Sequence, residues 1–373
     1  MLLSMAGIPV PDLVIQSHAG PYKVQFGEMF VGLESGLSEN SHLIIDARVA
    51  ELYAEDLKLA LTCGSVIRIE ATETNKSLEQ IPSYVMQLLA NGIKRDHLLI
   101  AVGGGIIQDI TSFIAATLFR GLAWCFYPTT LLAQADSCIG SKSSINVGQY
   151  KNQMGTFAPP RDIRISTDVL NTLEAVDIRS GIGEMIKVHA ISGWDDVRAI
   201  AADYQKLLTD RHTLEHYIRR SLEIKKLKIE ADEFDRDERL VMNYGHSFGH
   251  AIESATDYAI PHGIAVTIGM DMANYISWKF GLAGQDVYEE LHVVLAENYA
   301  GFEQIRIPED RFFVALSRDK KNVGSDLALI LLRSPGQVFK DRYPNNSYLH
   351  EICRGFFGFL HARRVGYHAE TSS

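Results

Sequence analysis

The sequence has few cysteines, no long apolar run and no excess of positive charge. Its 373 residues include four cysteines and no CxxC pair, which argues against a disulfide framework and predicts reduced core thiols at Cys63, Cys125, Cys138 and Cys353. The apolar runs are short, and the one at 105–116 is broken by Gln108 and Asp109. A bilayer needs roughly 20 apolar residues, so no membrane segment is expected.

Charge narrows the class of partner. Lysine and arginine number 36 against 46 aspartates and glutamates, a formal charge of −10, which argues against nucleic acid or an anionic membrane as partner. The first ten residues carry no lysine or arginine, unlike a secretory signal, and a cytoplasmic location is expected. If the substrate is an anion, the protein must gather its positive charge locally to bind it.

The order of apolar segments predicts two domains. Strand-like runs at 42–46, 66–70 and 98–102 alternate with helical stretches at 77–91 and after Gly105, a rhythm typical of an α/β domain with a parallel sheet. From about residue 175 to 280 the chain predicts successive helices, followed by a strand at 328–333 and a closing helix. We therefore expect an α/β domain at 1–170 and a mostly α-helical domain at 171–373.

A glycine turn follows the strand that ends near Val102. The run LLIAVGGGIIQD places Gly103, Gly104 and Gly105 at the start of a helix, where backbone N–H groups and the helix dipole can meet a pyrophosphate. The run is not GxGxxG, and a tight turn without a ligand fits it equally well. Asp46, after an earlier strand, suits either a ribose hydroxyl or an ordinary turn.

Three histidines and one carboxylate suggest a metal. His246 and His250 lie four residues apart on one helix face, and His262 follows a loop, so imidazoles could share a cation and leave a coordination position open. One of them could instead be a general acid or a phosphate contact. Glu184 and Lys187 are spaced as an ion pair within a helix, and metal ligation by Glu184 requires that its helix face the histidines.

The segment 129–152 is rich in small polar residues. It contains Asp136, Lys142, Lys151 and Asn152, a composition suited to hydrogen bonds with a polyhydroxylated anion. A solvated surface loop is the alternative, and the apolar PTTLLA that leads into the segment favours a buried approach.

Together these segments resemble the 3-dehydroquinate synthase family of sugar phosphate cyclases. The runs GGGIIQD, FRG, PTTLLAQADSCIGSK, KNQMGTF, GEMIK, RLVMNYGHSFGHAIE, HG and DKK occur in the family's order and spacing across nearly the whole chain. The resemblance implies a dehydroquinate synthase-like fold that uses NAD and a zinc or cobalt ion. It implies a metal held by Glu184, His246 and His262, with His250 facing the substrate. The implied NAD contacts are Asp46, Glu73, Lys76, Gly103, Gly104, Gly105, Asp109, Thr129, Thr130, Asp136, Lys142 and Lys151.

The resemblance also implies how a substrate is held. Its phosphate would be met by Asn152, Asn243, His250, one lysine of Lys320 and Lys321, and Arg120 from a neighbouring subunit, which makes a homodimer the expected assembly. A substrate carboxylate would be met by Lys142, Lys225 and Arg239, and Lys187 is a further implied catalytic residue. The implied reaction, that of the shikimate pathway, is oxidation, phosphate elimination, re-reduction and aldol closure of 3-deoxy-D-arabino-heptulosonate 7-phosphate.

Sibling cyclases fit less well. Those acting on sedoheptulose 7-phosphate or glucose 6-phosphate have less use for the cations that would bind a carboxylate, Lys142, Lys225 and Arg239, which we call the carboxylate clamp. Enzymes resembling 2-deoxy-scyllo-inosose synthase tend to carry glutamate at the position of Asn243, and 2-epi-5-epi-valiolone synthases usually lack the second histidine of GHSFGH. A glycerol dehydrogenase-like alcohol dehydrogenase would need no cations to bind a substrate carboxylate. A binding protein that kept the enzyme fold without its activity would be expected to have lost a metal ligand.

Three departures from the family pattern make the chain a divergent member. Gln108 stands where a glycine is more usual in the cofactor turn, and SKSSINV replaces a GKTAVNHP-like run. Ile264 replaces the glutamate that commonly follows the His262-Gly263 pair. These differences leave open a specialised pathway with another sugar phosphate as substrate.

Overall fold

The computed structural model describes residues 11–318, 322, 324 and 326–370, with the backbone alone at 362–370. The chain folds into two compact units, Met1–Leu173 and Glu174–Ser373. Among the helices within the described ranges, none is long and apolar enough to cross a membrane. The four cysteines are free thiols.

The first unit is built on a seven-stranded sheet in the order β1-β2-β9-β6-β5-β3-β4. All neighbouring strands are parallel except β1 and β2. A separate antiparallel hairpin, β7–β8, lies in the chain between β6 and β9. The strands are β1 Leu13–Ile15, β2 Tyr22–Phe26, β3 Ser41–Asp46, β4 Val66–Ile69, β5 Leu98–Gly103, β6 Ala123–Pro128, β7 Ile145–Val147, β8 Tyr150–Met154 and β9 Asp162–Ile165.

Helices of this unit cover its parallel strands. Leu43, Ile44 and Ile45 of β3 are fully buried, as expected of a central parallel strand that is covered on both faces. The helices are α1 Ala47–Leu52, α2 Lys58–Leu61, α3 Ile81–Ala90 and α4 Gly105–Thr117. Short 3-10 segments occupy Leu118–Arg120 and Thr167–Thr172, and a π-helical turn spans Ala133–Ser137.

The second unit is mostly helical, with one antiparallel pair of strands. Its helices are α5 Ala175–Ser192, α6 Trp194–Ala202, α7 Tyr204–Thr209, α8 Arg211–Ala231, α9 His246–Ala255, α10 His262–Lys279, α11 Gln285–Tyr299, α12 Glu309–Ser317 and α13 Ser347–Glu370. The strands are β10 Asp326–Leu332 and β11 Val338–Pro344, and a 3-10 segment spans Glu238–Asn243. Helix α10 is central, because it packs against α5, α9 and α11.

The predicted fold class is confirmed. The strands predicted at 42–46, 66–70 and 98–102 are β3, β4 and β5, and the predicted helix after Gly105 is α4. The helix expected from residue 77 begins at Ile81. Residues before it form a turn, in which Ser77 pairs with Asn146 as an isolated bridge. Tertiary pairing therefore shortened a helix that the local sequence favours.

Candidate functional site

A carboxylate and two histidines from three helices of the second unit converge on one point. Glu184 of α5 places its Oε1 atom 3.5 Å from Nε2 of His246 and 3.3 Å from Nε2 of His262. This oxygen is buried and has no hydrogen-bond partner within the described residues. Ligands about 2.1 Å from a tetrahedral metal ion stand about 3.4 Å apart, so both distances from the Glu184 oxygen match those between ligands that share a divalent cation.

Each histidine is turned toward that point by a hydrogen bond at its other ring nitrogen. The Nδ1 atom of His246 lies 3.2 Å from the Tyr244 carbonyl oxygen, and Nδ1 of His262 lies 3.1 Å from Oε2 of Glu253. Such partners hold the ring in place and leave Nε2 as the ligand atom. Glu253 was not predicted from the sequence, although it closes the same GHSFGHAIE run.

The electrostatics favour a positive charge here. Burial acts to raise the pKa of Glu184, but the Lys187 ammonium and His262 outweigh it and hold that pKa well below its ordinary value. Burial acts to lower the pKa of His262, but the carboxylates of Glu184 and Glu253 raise it to about 10. Two carboxylates facing one imidazole thus attract cationic charge, which is the condition that a divalent metal ion needs.

Glycines allow the ligand helices to approach closely. A Cβ atom on Gly263 would lie 1.9 Å from the Ser180 carbonyl oxygen of α5, and one on Gly249 would lie 2.9 Å from Cα of Val266. Larger residues would push α5 and α9 away from α10. Because Gly263 follows His262 directly, this close packing brings the His262 ring next to Glu184.

His250 belongs to the same cluster. Ligand atoms of His246, His250 and His262 lie within 4.8 Å of one another, and the rings of His250 and His262 stack with centroids 5.6 Å apart. His250 is exposed, whereas Glu184 is 1% exposed. Two ligand sets are therefore possible geometrically, and burial together with the partnerless Glu184 oxygen favours the predicted set.

Among the described residues of the same unit, three cations are buried. Lys187 of α5 is 2% exposed, Lys225 of α8 is 7% exposed and Arg239 is 5% exposed. Lys187 Nζ donates to Oε2 of Glu184 over 2.5 Å, and Arg239 donates to the Glu233 carbonyl oxygen over 2.6 Å. The segment carrying Arg239 packs against both α5 and α8. Asn243 ends that segment, and its side-chain amide donates to the Leu240 carbonyl oxygen.

In the first unit, the glycine turn joins β5 to α4 as predicted. A Cβ atom on Gly104 would lie 2.9 Å from the methyl group of Thr130, and Gly105 begins α4. The backbone N–H of Thr129 donates to the Gly103 carbonyl oxygen over 2.9 Å. The turn and the two threonines therefore form one compact edge at the carboxyl ends of β5 and β6, where such sheets bind ligands.

A hydrogen-bonded cluster lies beside α4. Lys76 Nζ donates to Oδ2 of Asp109 over 3.0 Å and to Oδ1 of Asn152 over 3.1 Å. Oδ1 of Asp109 accepts the Ser144 backbone N–H over 2.8 Å. Burial raises the pKa of Asp109 to about 6, although Lys76 and Ser144 oppose it. Glu73 lies 3.8 Å from the Lys76 ammonium and 3.7 Å from that of Lys151.

Four further residues predicted for the site lie at separate places in the first unit. Asp46 ends β3, accepts the Arg48 N–H and caps α1, so it performs the turn role that the sequence left open. Asp136 lies in the π-helical turn, and Lys142 is exposed. Arg120 is exposed with a φ of 65°. Within the part of the chain described, no hydrogen bond or ion pair involves its side chain. Lys320 and Lys321 lie outside the described residues.

Known proteins of one family match this chain along most of its length. Residues 66–180 match the 3-dehydroquinate synthase N-terminal family and 181–322 the C-terminal family. The 3-dehydroquinate synthase of Dictyoglomus thermophilum is 36% identical over 303 residues, covering 80% of this chain and 84% of the relative. That of Enterococcus faecalis is 34% identical over 304 residues, covering 79% and 84%.

Solved structures show the same fold. A 2-deoxy-scyllo-inosose synthase complexed with carbaglucose-6-phosphate, NAD+ and Co2+ matches with a TM-score of 0.79 and 24% identity, covering 92% of this chain and all of that one. The 2-epi-5-epi-valiolone synthase of Streptomyces hygroscopicus, with NAD+ and Zn2+ bound, matches with a TM-score of 0.76 and 24% identity, covering 92% and 97%. Glycerol dehydrogenase from Schizosaccharomyces pombe is more distant, with a TM-score of 0.55 and 16% identity over 91% and 89% of the two chains.

The fold is that of the sugar phosphate cyclases, with a parallel-sheet unit followed by a helical unit that carries a histidine and carboxylate cluster. Family matches over both units and relatives above 30% identity then identify the chain more narrowly. It belongs to the 3-dehydroquinate synthase family of carbon–oxygen lyases.

Proposed function

We propose that the chain converts 3-deoxy-D-arabino-heptulosonate 7-phosphate to 3-dehydroquinate, in the cytoplasm, with NAD and a divalent zinc or cobalt ion. The observation that carries the choice of substrate is the set of buried cations in the helical unit, Lys187, Lys225 and Arg239. Lys225 lies on α8, and Arg239 lies in the segment that packs against α5 and α8. A substrate carboxylate bound there would receive charge-assisted hydrogen bonds from both cations.

We propose that the two units are the functional domains predicted at 1–170 and 171–373. In the first, the turn at Gly103–Gly105 and the α4 N-terminus would bind the pyrophosphate of NAD through backbone N–H groups. In the second, Glu184, His246 and His262 would hold the cation. When bound, NAD supplies reversible redox chemistry at one carbon, and the cation stabilises negative charge on a neighbouring oxygen.

The chain's own side chains would orient the substrate around that chemistry. Lys142, Lys225 and Arg239 would fix the carboxylate end, and the exposed His250 ring could exchange a proton with a substrate oxygen. The phosphate would be met by Asn152, Asn243 and Lys320 or Lys321. Arg120 would reach it from the second subunit of a homodimer, which accords with an exposed guanidinium that has no partner within the described residues.

The test is phosphate release from 3-deoxy-D-arabino-heptulosonate 7-phosphate in the presence of NAD and zinc or cobalt. Sedoheptulose 7-phosphate and glucose 6-phosphate serve as substrates that lack the carboxylate. We expect release from the first alone, with no net NADH, because the cofactor is regenerated in each cycle. Release from a substrate without a carboxylate would overturn the clamp, and accumulation of NADH would favour the dehydrogenase alternative.

A further inference from the structure

Gln108, a residue that departs from the family pattern, joins two loops of the first unit. Its side chain lies on the first turns of α4 and is 6% exposed. The Nε2 group donates to the Ser137 carbonyl oxygen over 2.6 Å, and the Ser137 hydroxyl donates to Oε1 over 2.6 Å. Both ends of the amide are therefore used by a single residue, 29 positions away. We call this reciprocal pair the Gln108–Ser137 clasp.

The clasp connects segments that follow neighbouring parallel strands. Gly103 at the end of β5 is in register with Pro128 at the end of β6. Gln108 lies just beyond the glycine turn after β5, and Ser137 ends the π-helical turn after β6. Ligands of parallel sheets bind at such carboxyl ends. The clasp therefore fixes the distance between the two loops that would border a dinucleotide.

The π-helical turn is tied at both ends, and such single turns are rare and occur frequently at functional sites. Its start is held by Gln134, whose Nε2 donates to the carbonyl oxygens of Pro128 and Ser166 over 2.9 and 2.8 Å. Its end is held by Gln108. Asp136, an implied NAD contact, lies between these two anchors. A glycine at position 108 would leave the carbonyl and hydroxyl of Ser137 without these two bonds.

We propose that Gln108 is a positioning residue for the dinucleotide, which acts through Ser137 to hold Asp136 and the π-helical turn against the glycine turn. The proposal rests on NAD binding by the first unit. Gln108 is buried and uses both ends of its amide within the protein, so its effect is on cofactor affinity and loop order. In this chain the clasp takes over an ordering role that a glycine cannot perform.

The test uses Gln108→Ala, the isosteric Gln108→Glu and Ser137→Ala in the full-length protein. Gln87→Ala is the matched control, because Gln87 is an exposed helical glutamine of the same unit. NAD affinity is measured by calorimetry, and amide hydrogen exchange of residues 131–140 is measured without NAD. We expect Gln108→Ala to weaken NAD binding about tenfold, the scale of two lost hydrogen bonds, and to speed exchange in that segment.

Gln108→Glu should be at least as damaging, because a carboxylate oxygen would replace the donor that faces the Ser137 carbonyl. Ser137→Ala should have a smaller effect, and the double variant should fall short of the sum of the two single changes, since both remove the same contact. Wild-type affinity in Gln108→Ala and Gln108→Glu would overturn the proposal. Faster exchange with no NAD binding by the wild-type chain would refute the cofactor assignment and with it this role.

Discussion

In the helical unit, one carboxylate oxygen of Glu184 accepts no hydrogen bond from the described residues and lies 3.3 and 3.5 Å from two imidazole nitrogens. In the sheet unit, Asp109 uses both of its oxygens, one for the Lys76 ammonium and one for the Ser144 backbone N–H. Both carboxylates lie beside a lysine, with Glu184 1% exposed and the Asp109 side chain 20% exposed. The first arrangement would be completed by a cation from outside, whereas the second is complete within the chain.

The two groups of residues also differ in the elements that carry them. The proposed ligands of the helical unit lie on α5, α9 and α10, whose close packing would set their positions before an ion binds, and such preorganisation favours tight binding. In the sheet unit, Glu73 and Lys76 lie in the turn before α3, Asp109 lies on α4 and Lys151 lies on β8, and their contacts tie these segments together. We therefore expect substitutions in the helical unit to change metal content and turnover, and substitutions in the sheet unit to change stability and cofactor affinity.

The largest expected effect is loss of the metal ion. His262→Ala and Glu184→Gln should each reduce bound zinc or cobalt to background and lower turnover more than about a thousandfold, because two remaining ligands hold a cation poorly. Metal per chain is measured by mass spectrometry after gel filtration. His212→Ala, at an exposed position on α8, is the control.

His250→Ala separates the two possible ligand sets. With Glu184, His246 and His262 as ligands, this variant keeps its metal and loses turnover only. Loss of metal in His250→Ala together with full occupancy in Glu184→Gln would establish the three-histidine set instead.

A smaller loss is expected at the carboxylate clamp. Arg239→Ala should raise the Michaelis constant and lower turnover for the carboxylated substrate, with kcat/KM falling about a hundredfold, the scale of a lost charge-assisted hydrogen bond. Metal content should stay unchanged. Arg236→Ala, three residues earlier and exposed, is the control, and an unchanged rate in Arg239→Ala would remove this residue from the clamp.

Glu253 contacts a proposed ligand, His262, and its replacement should have a smaller effect on metal binding. Glu253→Gln weakens the hydrogen bond that turns His262 toward Glu184, and we expect metal affinity to fall about 10- to 100-fold. Competition with a chelator of known affinity measures this change. Glu289→Gln, at an exposed position on α11, provides the reference, and equal affinities in the two variants would show that Glu253 does not position the ligand.

The smallest effect concerns Asp109 and pH. Burial raises the pKa of this carboxyl from 3.8 to about 6, so the folded chain binds its proton more tightly than the unfolded chain. The contribution of Asp109 to stability therefore falls as pH rises from about 4 to 6. Relative to wild type, the free energy of unfolding of Asp109→Asn should increase by about 1 kcal/mol across that range, since the side chain is 20% exposed and solvent screens it.

Urea unfolding at pH 4, 5, 6 and 7 gives this difference. A constant difference between the two proteins across the series would mean that Asp109 titrates normally in the folded chain.

Much of the fold follows from the local pattern of apolar and turn residues in the sequence. The apolar runs of β3, β4 and β5, the glycine turn and the long helical stretch after residue 175 are visible in the sequence because period and turn chemistry are local properties. The antiparallel pairs β7–β8 and β10–β11 were not predicted as pairs, since pairing joins segments that the sequence alone does not connect. The start of α3 at Ile81 also depended on contacts with the hairpin residue Asn146.

The sequence by itself determined which chemical groups are available: histidines one helical turn apart, a carboxylate beside a lysine, and three glycines after a strand. The tertiary structure decided which of them meet. Glu184 reaches His246 and His262 because glycines bring α5 and α9 against α10, and Glu253 reaches His262 across a loop. Spacing along a helix is fixed by its periodicity, whereas contact between helices depends on packing of residues far apart in the chain.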